Sequence, residues 1–90
     1  DKPAKKNRDR DPEEEKRKMA ASRLQSDKAR AALRQSDLAR ALELSREALR
    51  VHEQNVEAML VMAEAFYKQG KHELTQTVTS SALAVDPKLL

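Results

Sequence analysis

The chain has 90 residues and a net charge of +3, with 37 % charged but only 2 % aromatic residues. That length allows one small domain, and with Phe66 and Tyr67 as its only aromatics the core has to be built from Leu, Met, Val and Ala. The absence of cysteine excludes disulfides and thiolate metal sites, and no apolar run approaches the roughly 20 residues of a membrane span. No signal peptide is visible. One Gly, three Pro and abundant Ala, Leu, Glu, Arg and Lys favour an all-helical chain.

Residues 1–11 open with five basic and two acidic groups in the first ten positions, Pro3 and no apolar face, so they read as a disordered, charged arm. Asp11-Pro12 then signals a helix start: Asp11 suits a cap, and proline suits the first helical position because its missing N–H would be unsatisfied there anyway. Glu13, Glu14 and Glu15 complement the positive end of the helix dipole. No breaker follows until Ser36, which predicts a first helix over residues 12–35. Its opening stretch, 12–21, has only Met19, Ala20 and Ala21 to bury and reads as a solvated extension.

Asp37 is placed to cap a second helix over residues 38–51, whose Leu38, Ala41, Leu42, Leu44, Ala48, Leu49 and Val51 give one wide apolar face. His52-Glu53-Gln54 forms a link, and Asn55 is placed to cap a third helix running to about Gln69. Met59, Leu60, Met62, Ala63, Phe66 and Tyr67 make this the most apolar helix and the predicted centre of the core. Gly70 ends it by supplying a left-handed residue. The fourth helix, predicted over residues 71–84, is rich in Thr75, Thr77, Thr79, Ser80 and Ser81, all mediocre helix formers. Leu74, Val78, Ala82, Leu83 and Val85 still mark a face, and Asp86-Pro87 stops the helix.

The stretch 56–90 repeats the stretch 22–55 at a distance of 34 residues. Ala63 falls on Ala29, Gly70 on Ser36, Ala82 on Ala48, Leu83 on Leu49 and Val85 on Val51. A fixed period of this length means stacked supersecondary units. The run Phe66-Tyr67-Lys68-Gln69-Gly70, the small Ala63, and Ala82-Leu83 followed by Asp86-Pro87 resemble the tetratricopeptide repeat. The copy at 22–55 keeps Ala29, Leu33, Ala41, Ala48 and Leu49, but has Gln25 and Lys28 where the family buries apolar side chains, Ser36 for the glycine and His52-Glu53 for Asp-Pro; Thr75 replaces the usual alanine in the copy at 56–90. The resemblance implies an all-α fold of antiparallel helix-turn-helix repeats in a right-handed solenoid, here with a helical N-terminal extension. It also implies a non-catalytic protein-interaction scaffold with a groove lined by each repeat's first helix, and no cofactor. The family's clamp for C-terminal carboxylates uses Asn along those helices, and residues 22–35 and 56–69 contain none.

Arg23, Arg30 and Arg34, spaced by seven and four, share one face of the first helix. Glu57, Glu64 and Lys68 stand 34 residues later, and Leu60 and Tyr67 complete the same face. Two readings follow. The charges could cement the stack, with Arg23 set against Glu57 and Arg30 against Glu64, each exposed pair contributing about 0–1 kcal/mol. Alternatively they form a basic wall that grips an acidic protein or peptide, with Leu60 and Tyr67 as apolar anchors. Arg34 faces Lys68 and is left unpaired in either case. Leu83, Val85, Leu89 and Leu90 lie at the open end of the stack, where polar capping is the norm; that predicts that the chain continues, or that a copy of itself or a partner covers this end.

The remaining features carry bland explanations. Lys2, Lys5, Lys6, Arg8 and Arg10 are diluted by Asp1 and Asp9 and lack interleaved aromatics for base stacking, which disfavours a nucleic-acid site. His52 and His72 stand alone, without a second ligand at metal spacing. Met59 and Met62 read as core fillers. No phosphate loop and no nucleophile with a base at a known spacing is present, so nothing argues for an enzyme.

Overall fold

The computed structural model describes residues 12–89, Leu89 by its backbone alone; the expectations placed on the arm 1–11, on the Leu89 side chain and on Leu90 lie outside it. Four α-helices follow one another: α1 (Pro12–Arg34), α2 (Leu38–Val51), α3 (Val56–Lys68) and α4 (His72–Val85), with a short 3-10 turn at Pro87–Leu89. They form two hairpins. α1 packs on α2, α3 on α4, and the hairpins meet through α3, which touches both α1 and α2.

The helix starts obey local chemistry. Asp37 caps α2, its carboxylate accepting from the Arg40 N–H at 3.2 Å, and Asn55 caps α3, its side-chain oxygen accepting from the Ala58 N–H at 3.1 Å. Both hairpin turns have the same geometry. In the first, the Ser36 N–H donates to the Leu33 carbonyl and the Asp37 N–H to Ala32; in the second, Gly70 donates to Tyr67 and Lys71 to Phe66, all at 2.9 Å. These are paired bonds of a Schellman stop, which requires a left-handed residue. Gly70 takes it at φ 79°, and Ser36 is forced into it at φ 63°. The two turns then diverge: Asp37 both closes α1 and caps α2, whereas Lys71 opens α4 with no side-chain cap.

The core joins Ala29, Ala32 and Leu33 of α1, Ala41 and Leu42 of α2, and Val61, Met62, Ala65 and Phe66 of α3, with Val78 of α4 packed against it. Ala29, Ala41, Ala48, Ala58, Ala65 and Ala82 are fully buried, so small side chains let the helix backbones approach. Met59 and Met62 are buried core fillers. In contrast to the apolar faces of its neighbours, α4 buries only Ala82, and its Thr75, Thr77 and Ser81 hydroxyls donate back to carbonyls one turn earlier. At the α4 side Leu83 is half-buried while Leu74 and Val85 remain exposed.

Three serines are buried, which polarity alone does not foresee. The Ser22 hydroxyl donates to the Ala48 carbonyl at 2.6 Å and accepts from the Asn55 amide at 2.7 Å, tying α1, the end of α2 and the start of α3 together. Ser26 donates to the Arg23 carbonyl. Ser45 is fully buried with no hydrogen-bond partner for its hydroxyl among the described residues.

Each hairpin turn is expected to gain from the other's better half. Ser36→Gly relieves a left-handed non-glycine residue, a strain of about 1 kcal/mol, and Lys71→Asp supplies a missing cap of about 1 kcal/mol. In thermal melts each raises Tm by about 4–8 °C. The buried serines are expected to respond in opposite directions. Ser22→Ala strands the Asn55 side-chain amide, while the Ala48 carbonyl keeps its bond from the His52 N–H, and loses about 1–3 kcal/mol, whereas Ser45→Ala removes a hydroxyl without a partner among the described residues and leaves stability equal or higher in urea titrations.

Candidate functional site

The face shared by α1 and α3 carries most of the charged candidates. On α1, Arg30 and Arg34 lie one turn apart with Leu33 between them. On α3, Leu60, Glu64 and Lys68 recur every four residues and form one stripe. Because α1 and α3 pack directly on each other, the two stripes face a common groove of about 470 Å³ lined by Arg30, Leu33, Arg34, Leu60, Val61, Glu64 and Lys68. Its floor is apolar and its rim carries three cations against one carboxylate.

Arg30 and Glu57 form an ion pair across α1 and α3, with side chains 42 % and 61 % exposed. This corrects the pairing expected from equivalent repeat positions: Arg30 meets Glu57, not Glu64, and Arg23 has no ion pair among the described residues. Glu64 instead lies 3.8 Å from Lys68 of its own helix, a loose i,i+4 contact. Each repeat in such a stack is rotated on the last, so equivalent positions of the two first helices need not meet. The partner of Arg30 therefore slips by seven residues, two helical turns, and stays on the same face. Arg34 is exposed and has no ion pair among the described residues.

The ion pair separates the groove from a second recess. That recess, about 620 Å³, lies between the early turns of α1, the α2–α3 link and the first turn of α3; Arg23 and Glu57 line it, together with Lys16, Met19, Leu24, Asp27, His52 and Val56. Met19 and Leu24 are 50 % and 54 % exposed there. Sequence reasoning left this recess out, although Met19, Ala20, Arg23, Leu24 and Asp27 share one helical face by spacing. Tyr67 lines neither hollow. It is 61 % exposed, and its ring meets His72 edge-on at 5.7 Å across the α3–α4 turn.

Away from this face the charges pair locally. Arg40 contacts Glu43, and Arg50 donates to Glu47 at 2.6 and 2.7 Å. The Glu47 carboxylate raises the Arg50 pKa above its ordinary value, through the hydrogen bonds first and charge second. Among the described residues no group of three His, Cys, Asp or Glu is placed to hold a metal ion, and no helix is long and apolar enough to cross a membrane.

No curated protein matches the chain. The family model described as tetratricopeptide repeat matches residues 32–88, more than half of the chain and both hairpin turns. With two helical hairpins, a left-handed stop in each turn and that match, the chain belongs to the tetratricopeptide repeat family, whose repeats generally mediate protein–protein interaction.

Proposed function

We propose that the chain is a non-catalytic protein-interaction scaffold whose groove between α1 and α3 grips an acidic segment of a partner protein. The observation that carries this reading is the groove's rim: Arg30, Arg34 and Lys68 stand against Glu64 alone, above a floor of Leu33, Leu60 and Val61. Arg30 is held by Glu57, so its charge serves the stack first. Lys68 is only loosely held by Glu64. Arg34 is the cation left for a ligand, and arginine with a planar, multiply donating head suits a carboxylate. An apolar floor beneath charged rim groups is the usual make-up of a protein-binding patch.

The reading is tested by affinity capture from nuclease-treated native extract, followed by titration of the purified partner. Arg34→Glu is expected to weaken the partner about tenfold or more, the equivalent of about 1.5–3 kcal/mol for a charge-assisted hydrogen bond, while costing the fold no more than about 1–2 kcal/mol, because Arg34 is exposed but stands in the last turn of α1, where a negative charge opposes the helix dipole. Equal affinity of the variant and the parent overturns the reading. Retention from untreated extract that is lost from the nuclease-treated extract points instead to nucleic acid.

A further inference from the structure

We propose that the recess beside the groove is where a second copy of the chain docks, α1 against α1 in antiparallel array, so that the protein forms a weak two-fold dimer. This is independent of the groove reading, since Arg34 and Lys68 take no part in it. The recess takes from α1 the exposed Lys16, Met19, Ala20, Arg23, Leu24 and Asp27. Spaced by three and one in turn, they lie within about 140° of one helical face. Met19 and Leu24 are 50 % and 54 % exposed, so each keeps a large apolar surface that the fold does not cover.

Charge selects the occupant. Lys16 and Arg23 stand against Asp27 and Glu57. A face so balanced suits neither a strongly acidic nor a strongly basic partner, but it suits itself. In an antiparallel helix pair with two-fold symmetry, residues at equal distances either side of the axis come level with each other. The six α1 residues form three such pairs about one point, midway between Ala21 and Ser22: Lys16 with Asp27, Met19 with Leu24, and Ala20 with Arg23. With the axis there, Lys16 of each copy meets Asp27 of the other, one ion pair at each end of the seam. Met19 and Leu24 flank the seam on opposite sides, each beside its counterpart in the second copy. The small Ala20 leaves room for the stem of Arg23 to cross. The two Arg23 side chains come nearest the axis, where their like charges oppose association. The seam is only about 17 Å long at the helical rise. That is small beside the roughly 800 Å² per partner of a stable complex, so the dimer dissociates readily.

The test is charge exchange, read by sedimentation equilibrium of the full 90-residue chain at concentrations up to about 1 mM. The parent is expected to rise from monomer towards dimer mass across that range. Lys16→Glu sets two carboxylates at each end of the seam, and Asp27→Lys sets two cations there. Each alone is expected to dimerise about tenfold more weakly, since symmetry counts every substitution twice. Mixed in equal amounts, the two variants rebuild both ion pairs and recover most of the lost association. The double variant Lys16→Glu/Asp27→Lys rebuilds them within one sequence and recovers all of it. Arg23→Ala is expected to tighten the dimer. Lys16 and Asp27 are exposed, so melts of the single variants stay close to the parent's. A parent that is still monomeric at the highest concentration overturns the proposal. So do single variants that dimerise as well as the parent, which places the contact elsewhere, such as the exposed Leu74 and Val85 of α4. A mixture no better than its components, or a weaker Arg23→Ala dimer, overturns the antiparallel register.

Discussion

α3 has neighbours on three sides, and the rest of the molecule depends on its burial. It packs against α1, α2 and α4 at once, and seven of its thirteen residues are buried. A chain with two aromatics cannot build a core from bulk. It builds one from close approach, with Ala29, Ala41, Ala58 and Ala65 at helix contacts and Val61, Met62 and Phe66 filling the remaining space. Interiors are packed as densely as crystals, so small side chains at crossings and adaptable methionines between them are what such a composition permits. α4, with a single buried residue, adds Val78 to the edge of the core and depends on α3 for its place.

That dependence explains which parts of the fold were legible in the sequence. Helix ends are local matters: Asp37, Asn55, Gly70 and Asp86-Pro87 marked ends that the structure places within one residue of expectation, because capping is decided by side chains two or three positions away. Ser36 as the counterpart of Gly70 was legible through the 34-residue period, and its left-handed backbone follows from the shared turn geometry. Contacts between repeats were less legible. The period says which residues are equivalent, not which ones touch, since a rotation between units moves equivalent positions apart. Arg30 therefore found Glu57. The same limit hid Ser22, whose partners lie 26 and 33 residues away, and which looks like a surface residue to any count of apolar positions.

The Arg30–Glu57 pair shows how a weak interaction shapes a site. Exposed ion pairs add little to stability, and the core would hold α1 against α3 without it. Its effect is on the distribution of charge. By engaging one arginine it divides the shared face into a cationic groove and a recess where Lys16 and Arg23 stand against Asp27 and Glu57, and it leaves Arg34 without an ion pair among the described residues. Charge sorting of this kind is invisible in a net charge of +3, which averages over pairs that are already satisfied.

A face of this sort would bind a ligand economically. α1 and α3 are fixed by the core, so their side chains present a groove whose backbone is already ordered; association then loses mainly the freedom of the ligand and of a few long side chains. Screening limits what the charges can do alone, because at physiological ionic strength an exposed pair is felt over roughly 8 Å. An acidic residue held only by Arg34 and Lys68 is therefore weakly bound. Apolar contact is not screened by salt in this way, and on this groove Leu60, 38 % exposed on a floor shared with Leu33 and Val61, is placed to supply it. On that argument the apolar floor, more than the charged rim, would set how tightly such a groove holds a ligand, and the rim would set which ligand it prefers.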